Sequence, residues 1–214
     1  MWNACQICGA YRVDKTIDKD GPRAICPECG HKHPFRYLPL FVVGGASGTG
    51  KSTVCNQMAG RELDLVFLDS DILWRSEFNQ PENNYRGFFD TWLRLCKNIN
   101  QSGRPCLLFG AGFGVPENLE TSLERRYFSK IAYLALVCTP EILAERLENR
   151  PAWRKATNPN FIREQLDFNQ WFIDYHKKGK EPPIKIVDTS QEELQLTVSE
   201  IQAWVSRIIT ESGC

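Results

Sequence analysis

Apolar residues recur along this chain in two rhythms. Short, nearly unbroken runs have the length and content of strands buried on both faces. They are "PLFVVGG" from Pro39, "DLVFLDSD" from Asp64, "PCLLFGAGFG" from Pro105, "KIAYLALVC" from Lys130 and "IKIVDTS" from Ile184. Between them lie segments of helical spacing. One runs from Thr53 to Met58, one starts near Ile72, and one follows Thr139-Pro140 and is ended by Pro151. Thr139 suits an N-cap and Pro140 the first helical position. A fourth helical segment places Phe161, Leu166, Phe168, Trp171, Phe172 and Tyr175 along core-facing positions, and a last spans Glu192 to Thr210. Strand, loop and helix in alternation predict an α/β fold with a parallel sheet flanked by helices. Ahead of it, "YRVDKT" and "PRAI" read as short hairpin strands around a polar "DKDG" turn.

With 214 residues, 42% of them hydrophobic, the chain has material for one good-sized core and a small appendage. Lys+Arg and Asp+Glu both total 26, so no overall field draws the protein to nucleic acid or acidic membranes. No apolar run approaches the roughly 18 residues of a membrane span, and "MWNACQICGAY" lacks a basic-then-apolar signal pattern. A cytoplasmic protein is therefore expected. Nine cysteines change the picture, because four of them form two CxxC pairs. The others, Cys55, Cys96, Cys106, Cys138 and Cys214, read as free thiols, which suits a reducing compartment.

Cys5-x2-Cys8 and Cys26-x2-Cys29 have the spacing of a four-thiolate zinc site, and Gly9 and Gly30 follow the pairs where the chain must turn sharply. Four thiolates close the tetrahedral shell of Zn2+, the mark of a structural site. The pattern resembles the zinc-ribbon family and covers residues 1–36. His31 and His33, just beyond the last cysteine, could substitute as ligands, but with four cysteines at hand they are expected at the surface. Six basic residues against four acidic ones in this stretch give no argument for nucleic acid. So small a unit draws its folding energy from the metal.

"GASGTGKS", Gly45 to Ser52, matches G-x-x-x-x-G-K-[ST] in full between a strand and a helix. Its glycines let the amides of Gly45, Ser47, Gly48, Thr49, Gly50 and Thr53 converge on phosphates. Lys51 reaches the β and γ oxygens, and the Ser52 hydroxyl ligates Mg2+. The next strand ends in Asp69 and Asp71 at the sheet edge where ligands bind in parallel sheets. Carboxylates there steer Mg2+ or accept the proton of an attacking hydroxyl, and they also cap the helix expected near Ile72.

"GASGTGKST" followed by "LDSD" resembles the small P-loop kinases, a group with gluconate, shikimate and adenylylsulfate kinases and chloramphenicol phosphotransferase. The resemblance covers residues 38–212 of a kinase unit set at 37–214. It implies Asp71 as base or acceptor anchor, Asp69 as an Mg2+-side carboxylate, and Arg75 facing the acceptor from a short helix. The run "PCLLFGAGFG" has no terminal acid, which argues against motors and GTPases, where an Asp there positions Mg2+. Gly110, Gly112 and Gly114 are expected either to let backbone approach substrate or the phosphate loop, or simply to form a turn. "ERLENRPAWR" resembles the arginine lid of nucleotide kinases, set at residues 146–158, with Arg150 over the transferring phosphoryl group and Arg146 and Arg154 contributing. Arg146 to Lys180 carries eight basic residues against four acidic ones, as phosphate handling favours. Asp188, Thr189 and Ser190 are expected beside the adenine.

The implied activity is transfer of the γ-phosphoryl group of ATP, with Mg2+, to a nucleoside, nucleotide or other small hydroxyl acceptor. The acceptor pocket is expected between Asp69 and the third strand, with Trp74, Phe78, Tyr85, Phe88 or Phe89 as stacking or core aromatics. Two alternatives stay open: an ATP-binding regulatory adaptor, and a polynucleotide end kinase gripping its substrate through the ribbon.

Overall fold

A computed structural model of the chain describes residues 3–61, 64–151, 158–191 and 193–212. Two sheets are present. The smaller is antiparallel, with strands β1 (Thr16–Asp18), β2 (Arg23–Ile25) and β3 (Lys32–Pro34) in that order. The β1–β2 hairpin turns over the expected polar stretch, and β3 brings the chain back along β2. The larger sheet holds β4 (Leu40–Gly44), β5 (Val66–Asp69), β6 (Cys106–Phe109), β7 (Ile131–Val137) and β8 (Ile184–Asp188). Its order is β5-β6-β4-β7-β8, and every pair is parallel.

Helices α1 (Lys51–Met58), α2 (Arg86–Asn100), α3 (Pro116–Glu120), α4 (Pro140–Glu148), α5 (Pro159–Lys177) and α6 (Leu194–Ser212) connect and follow these strands. Because strand side chains alternate, each central strand feeds two cores. Leu40 and Val42 of β4 pack with α2, α3 and α5, whereas Phe41 and Val43 pack with α1 and α6. β7 divides in the same way, Tyr133 and Ala135 to one side and Leu134 and Leu136 to the other. All five β4 residues are buried, which explains a run without polar interruption. Phe168, Trp171, Phe172 and Tyr175 of α5 join the first core, with Phe172 and Tyr175 buried, whereas Phe161 packs against Ala46, Leu143 and Leu147.

The helix expected near Ile72 is instead a series of 3-10 turns at Ser70–Leu73, Ser76–Phe78 and Pro81–Asn83, and a long helix begins only at Arg86. Trp74 and Arg75 are extended, and "NQPENN" offers residues that favour turns over helix propagation. The last helix starts at Leu194, two residues beyond the expected Glu192, which lies outside the described residues.

The cysteine unit sits directly on the larger body. Phe35 meets the Tyr127 ring edge-on at 5.4 Å, and both pack with Ala24. Asn3 Oδ1 accepts from Lys97 Nζ at 2.8 Å, and Lys97 in turn pairs with Glu124 at 2.5 Å, both side chains enclosed. Arg126 donates to the Lys15 carbonyl at 2.8 Å. The boundary expected between residues 36 and 37 falls where Arg36 is tied by its backbone N–H and carbonyl to Gln101, just past the end of α2. Among the described residues no helix is long and apolar enough to cross a membrane.

Candidate active site

The phosphate loop leaves β4, the central strand, at its C-terminal end. Two contacts require glycine there. A Cβ on Gly44 would lie 2.5 Å from Gly114 Cα, and one on Gly45, at φ +133°, would lie 2.4 Å from the Leu136 carbonyl oxygen. Gly50 precedes α1 at φ +97°, and no side chain caps the helix. The amides of its first turn are thus left for an anion, with the helix dipole behind them. Lys51 Nζ donates to the carbonyls of Gly45 and Ala46, both at 2.8 Å. Burial pushes Lys51 down to about 8, helped by the Arg150 charge and opposed by Asp71 and Asp69. A lysine so desolvated gains strongly from an arriving phosphate.

A cavity of about 650 Å³ opens over this loop. Ser47, Gly48, Thr49, Gly50, Lys51, Ser52 and Thr53 of the loop line it, together with Asp69, Asp71, Phe109, Gly110 and Ala111. Arg146, Arg150, Pro151, Thr189, Leu194 and Thr197 complete the lining. The sheet therefore brings together the loop, the two carboxylates after β5 and two arginines of the proposed lid.

Asp69 ends β5, and its Oδ1 accepts from the Asp71 N–H at 3.0 Å. It caps the first 3-10 turn and still faces the cavity, so capping and site roles coexist. Asp71 is exposed at the cavity edge. Ser70 between them is buried, and a Cβ on Gly110 would meet its Oγ at 2.4 Å. Gly110 and Gly114 thus serve close backbone approach, the first to the turn bearing Asp71 and the second to Gly44. Gly112 packs beneath the Phe89 ring.

Arg146 lines the cavity, but its guanidinium donates to Thr189 Oγ1 at 3.1 Å and to the Thr189 carbonyl at 2.6 Å. The single Thr189 hydroxyl hydrogen is shared between the Val137 carbonyl at 3.1 Å and the Thr49 carbonyl at 3.2 Å, so Arg146 holds the loop after β8 between β7 and the phosphate loop. Of the three residues expected at the base, only Thr189 lines the cavity. Asp188 Oδ1 accepts both the N–H and the hydroxyl of Ser190.

Arg75 departs from expectation. It is exposed, sits in extended backbone between two 3-10 turns, and is not among the cavity's lining residues. The helix meant to aim it inward did not form. Arg154, with the rest of the lid from Ala152 to Thr157, lies outside the described residues. A contact the sequence did not signal is Gln165 of α5, whose Oε1 accepts from the Ser47 N–H at 2.8 Å.

In the cysteine unit the Sγ atoms of Cys5, Cys8, Cys26 and Cys29 all lie within 4.8 Å of one another, with Cys5–Cys29 at 3.6 Å and Cys8–Cys26 at 3.8 Å. Four thiolates about 2.3 Å from one tetrahedral ion would stand about 3.8 Å apart, so the cluster fits Zn2+. Hydrogen bonds from the Cys8 and Ile7 N–H groups draw the Cys5 thiol down, toward the thiolate a metal needs. Against a hydrogen bond from the His31 N–H, burial and the neighbouring thiols hold Cys29 up. His33, expected at the surface, is buried beside this cluster and meets the His31 ring at 4.4 Å. In the three-residue strand β3, Lys32 and Pro34 point outward, which leaves His33 the inward position.

The fold and the loop geometry define a P-loop α/β protein with the architecture of the small kinases, carrying a zinc-ribbon-like unit at its front. A family profile described as an AAA domain matches residues 42–167, over half of the chain, and the chain belongs to that family. Among solved structures, it is similar to a gluconokinase from Sinorhizobium meliloti 1021 at 20% identity and a TM-score of 0.55, covering 82% of this chain and 96% of that one. A sugar kinase from Janibacter sp. HTCC2649 is similar at 14% identity and a TM-score of 0.57, covering 79% and 95%. A shikimate kinase from Bacteroides thetaiotaomicron is similar at 18% and 0.51, covering 79% and 98%. At these identities the likeness is one of fold. No curated protein matches the chain.

Proposed function

We propose that the chain is a kinase that moves the γ-phosphoryl group of ATP to a hydroxyl of a small molecule, a nucleoside, nucleotide or other alcohol. One observation carries this reading: a single cavity gathers the phosphate loop, the Asp69–Asp71 pair and Arg150. The gluconokinase, sugar kinase and shikimate kinase named above share this fold, which agrees with it.

In this reading Lys51 and the amides of Gly45, Gly48, Thr49, Gly50 and Thr53 hold the donor phosphates, and Ser47, expected among them, has its N–H taken by Gln165 instead. Ser52 and Asp69 would hold Mg2+, which when bound neutralises charge between the β and γ groups. Asp71 orients the acceptor hydroxyl and takes its proton as the new O–P bond forms and the bond to the β-phosphate oxygen breaks. Arg150 covers the equatorial oxygens as their charge shifts, and Arg146 positions the Thr189 loop beside the base. Arg75 receives no role. Positioning and charge stabilisation supply the rate, with no covalent enzyme intermediate.

Residues 1–36 are read as a zinc-stapled clamp held by Cys5, Cys8, Cys26 and Cys29 on the kinase unit of residues 37–214. A cytoplasmic, reducing location suits the unpaired cysteines. The balanced charge offers no reason to assign nucleic acid as a partner. The test is a screen of nucleosides, nucleotides, sugars and small alcohols for acceptor-dependent ADP release. Release with at least one acceptor supports the kinase. Tight ATP binding without transfer to any acceptor would favour a regulatory switch instead.

A further inference from the structure

We propose that Gln165 is a positioning residue for the donor site, acting on Lys51 through the Ala46–Ser47 peptide plane. The inference rests on the donor-site reading above and extends it to a residue on the far side of the phosphate loop.

A peptide unit is planar, so fixing its N–H fixes its C=O. The unit between Ala46 and Ser47 is held on both sides. Its N–H donates to Gln165 Oε1 at 2.8 Å, on the outer face of the loop. Its carbonyl oxygen accepts from Lys51 Nζ at 2.8 Å and from Thr49 Oγ1 at 2.9 Å, on the inner face. Without Gln165 the plane is held only from its carbonyl side, by Thr49 and by Lys51 itself, so the carbonyl that aims Lys51 is less firmly fixed. The flanking loop residues are also seated on the same helices. Ala46 is buried against Leu143 and Leu147 of α4, with Ile162 and Leu166 of α5 packed alongside. A Cβ on Gly48 would lie 2.8 Å from Leu143.

The side chain at 165 also has to be uncharged. Ser47 lines the phosphate cavity, where a carboxylate at the same distance would repel the anion. An amide oxygen supplies the acceptor without that repulsion. α4 and α5 bracket the arginine-bearing segment, so Gln165 ties its returning helix to the phosphate loop directly. Arg146 does the same from the outgoing helix, through Thr189.

The experiment measures ADP and adenosine binding by calorimetry, without acceptor, for wild type, Gln165→Leu, Lys51→Ala and the double variant. Gln165→Leu is expected to weaken ADP roughly 5- to 15-fold, the worth of one partly buried hydrogen bond. Adenosine, which has no phosphate, should change less than about twofold. In the Lys51→Ala background the same substitution should change ADP affinity less than about twofold, because the group it acts through is gone. Gln165→Met, unbranched and of similar length, repeats the test if the leucine variant does not fold. Equal loss of ADP and adenosine affinity, or an undiminished effect in the Lys51→Ala background, would overturn the proposal. A wild-type chain that binds ADP but phosphorylates no acceptor sinks the kinase reading while leaving this cycle interpretable. A wild-type chain that binds no ADP removes both.

Discussion

Replacing Lys97 with methionine tests how the cysteine unit is held on the sheet. Lys97 Nζ lies 2.5 Å from Glu124 Oε2, donates to Asn3 Oδ1 at 2.8 Å, and stands 4.3 Å over the Tyr127 ring. Both charged side chains are essentially enclosed, at 1% and 3% exposure. Burial pushes Lys97 down while Glu124 supports its charge. Removing one member of such a pair leaves the other buried without full compensation, a loss of about 3–5 kcal/mol. Arg94 still reaches Glu124 Oε1 at 3.0 Å from the surface, which places the expected cost toward the lower end. For a chain of this size that is a fall of about 6–20 °C in melting temperature. Lys97→Met/Glu124→Leu removes both charges and should recover most of the loss, since apolar replacement of a buried pair is often near neutral. Thermal and urea unfolding at fixed free zinc read the effect, because ligand concentration shifts apparent stability. Untying Asn3, two residues from Cys5, should also speed zinc release to a chelator. A single variant within about 1 kcal/mol of wild type, or a double variant no better than the single, would refute the argument.

Metal-free ADP affinity should be insensitive to Lys51 below pH 8 and fall about tenfold per pH unit above it, since Lys51 titrates near 8 and phosphate needs it charged. Lys51→Arg should flatten that profile, and a profile unchanged by it would count against the assignment. Because the folded Lys51 lies below its ordinary value, its charge costs the empty protein stability below pH 8. That cost should be relieved as pH rises toward the ordinary lysine range. Gly110→Ala places a Cβ 2.4 Å from Ser70 Oγ and 2.7 Å from the Phe113 ring, costing about 1–3 kcal/mol. By shifting the turn that carries Asp71 it should cut phosphoryl transfer about a hundredfold with ADP affinity little changed, and unaltered transfer would contradict it. Cys26→Ser should lose bound zinc and lower the melting temperature yet retain ADP binding, as the cysteine unit docks on α2 and the Leu123–Tyr127 turn, away from the phosphate loop. Zinc content and ADP titration check this, and a full equivalent of zinc in the variant would refute the four-thiolate site.

What could be read from the chain alone follows from range. The phosphate loop was legible because its glycines, lysine and serine act within eight consecutive residues, and β4 because burial on both faces leaves no polar position. The two CxxC pairs were legible for the same reason: each knuckle is a local turn. Side chains whose roles depend on distant partners were not. Arg146 reads as a phosphate ligand in sequence, yet Thr189, 43 residues on, takes its guanidinium. His33 looks like any histidine after a cysteine pair until β3 turns it inward. Arg75 stands outside the cavity lining because Asp69 caps only a 3-10 turn and the backbone at Trp74 and Arg75 is extended. Gln165 carries no sequence signal at all, since its partner Ser47 lies 118 residues away.

The central claim is that Asp71 and the phosphate loop act together on one acceptor. Phosphoryl transfer from γ-labelled ATP to the best acceptor of the screen, compared between wild type and Asp71→Asn, tests it most directly. Asp71→Asn should lose transfer by about two to four orders of magnitude with ATP affinity nearly unchanged, the scale of a lost general base. Transfer by Asp71→Asn at the wild-type rate would contradict it.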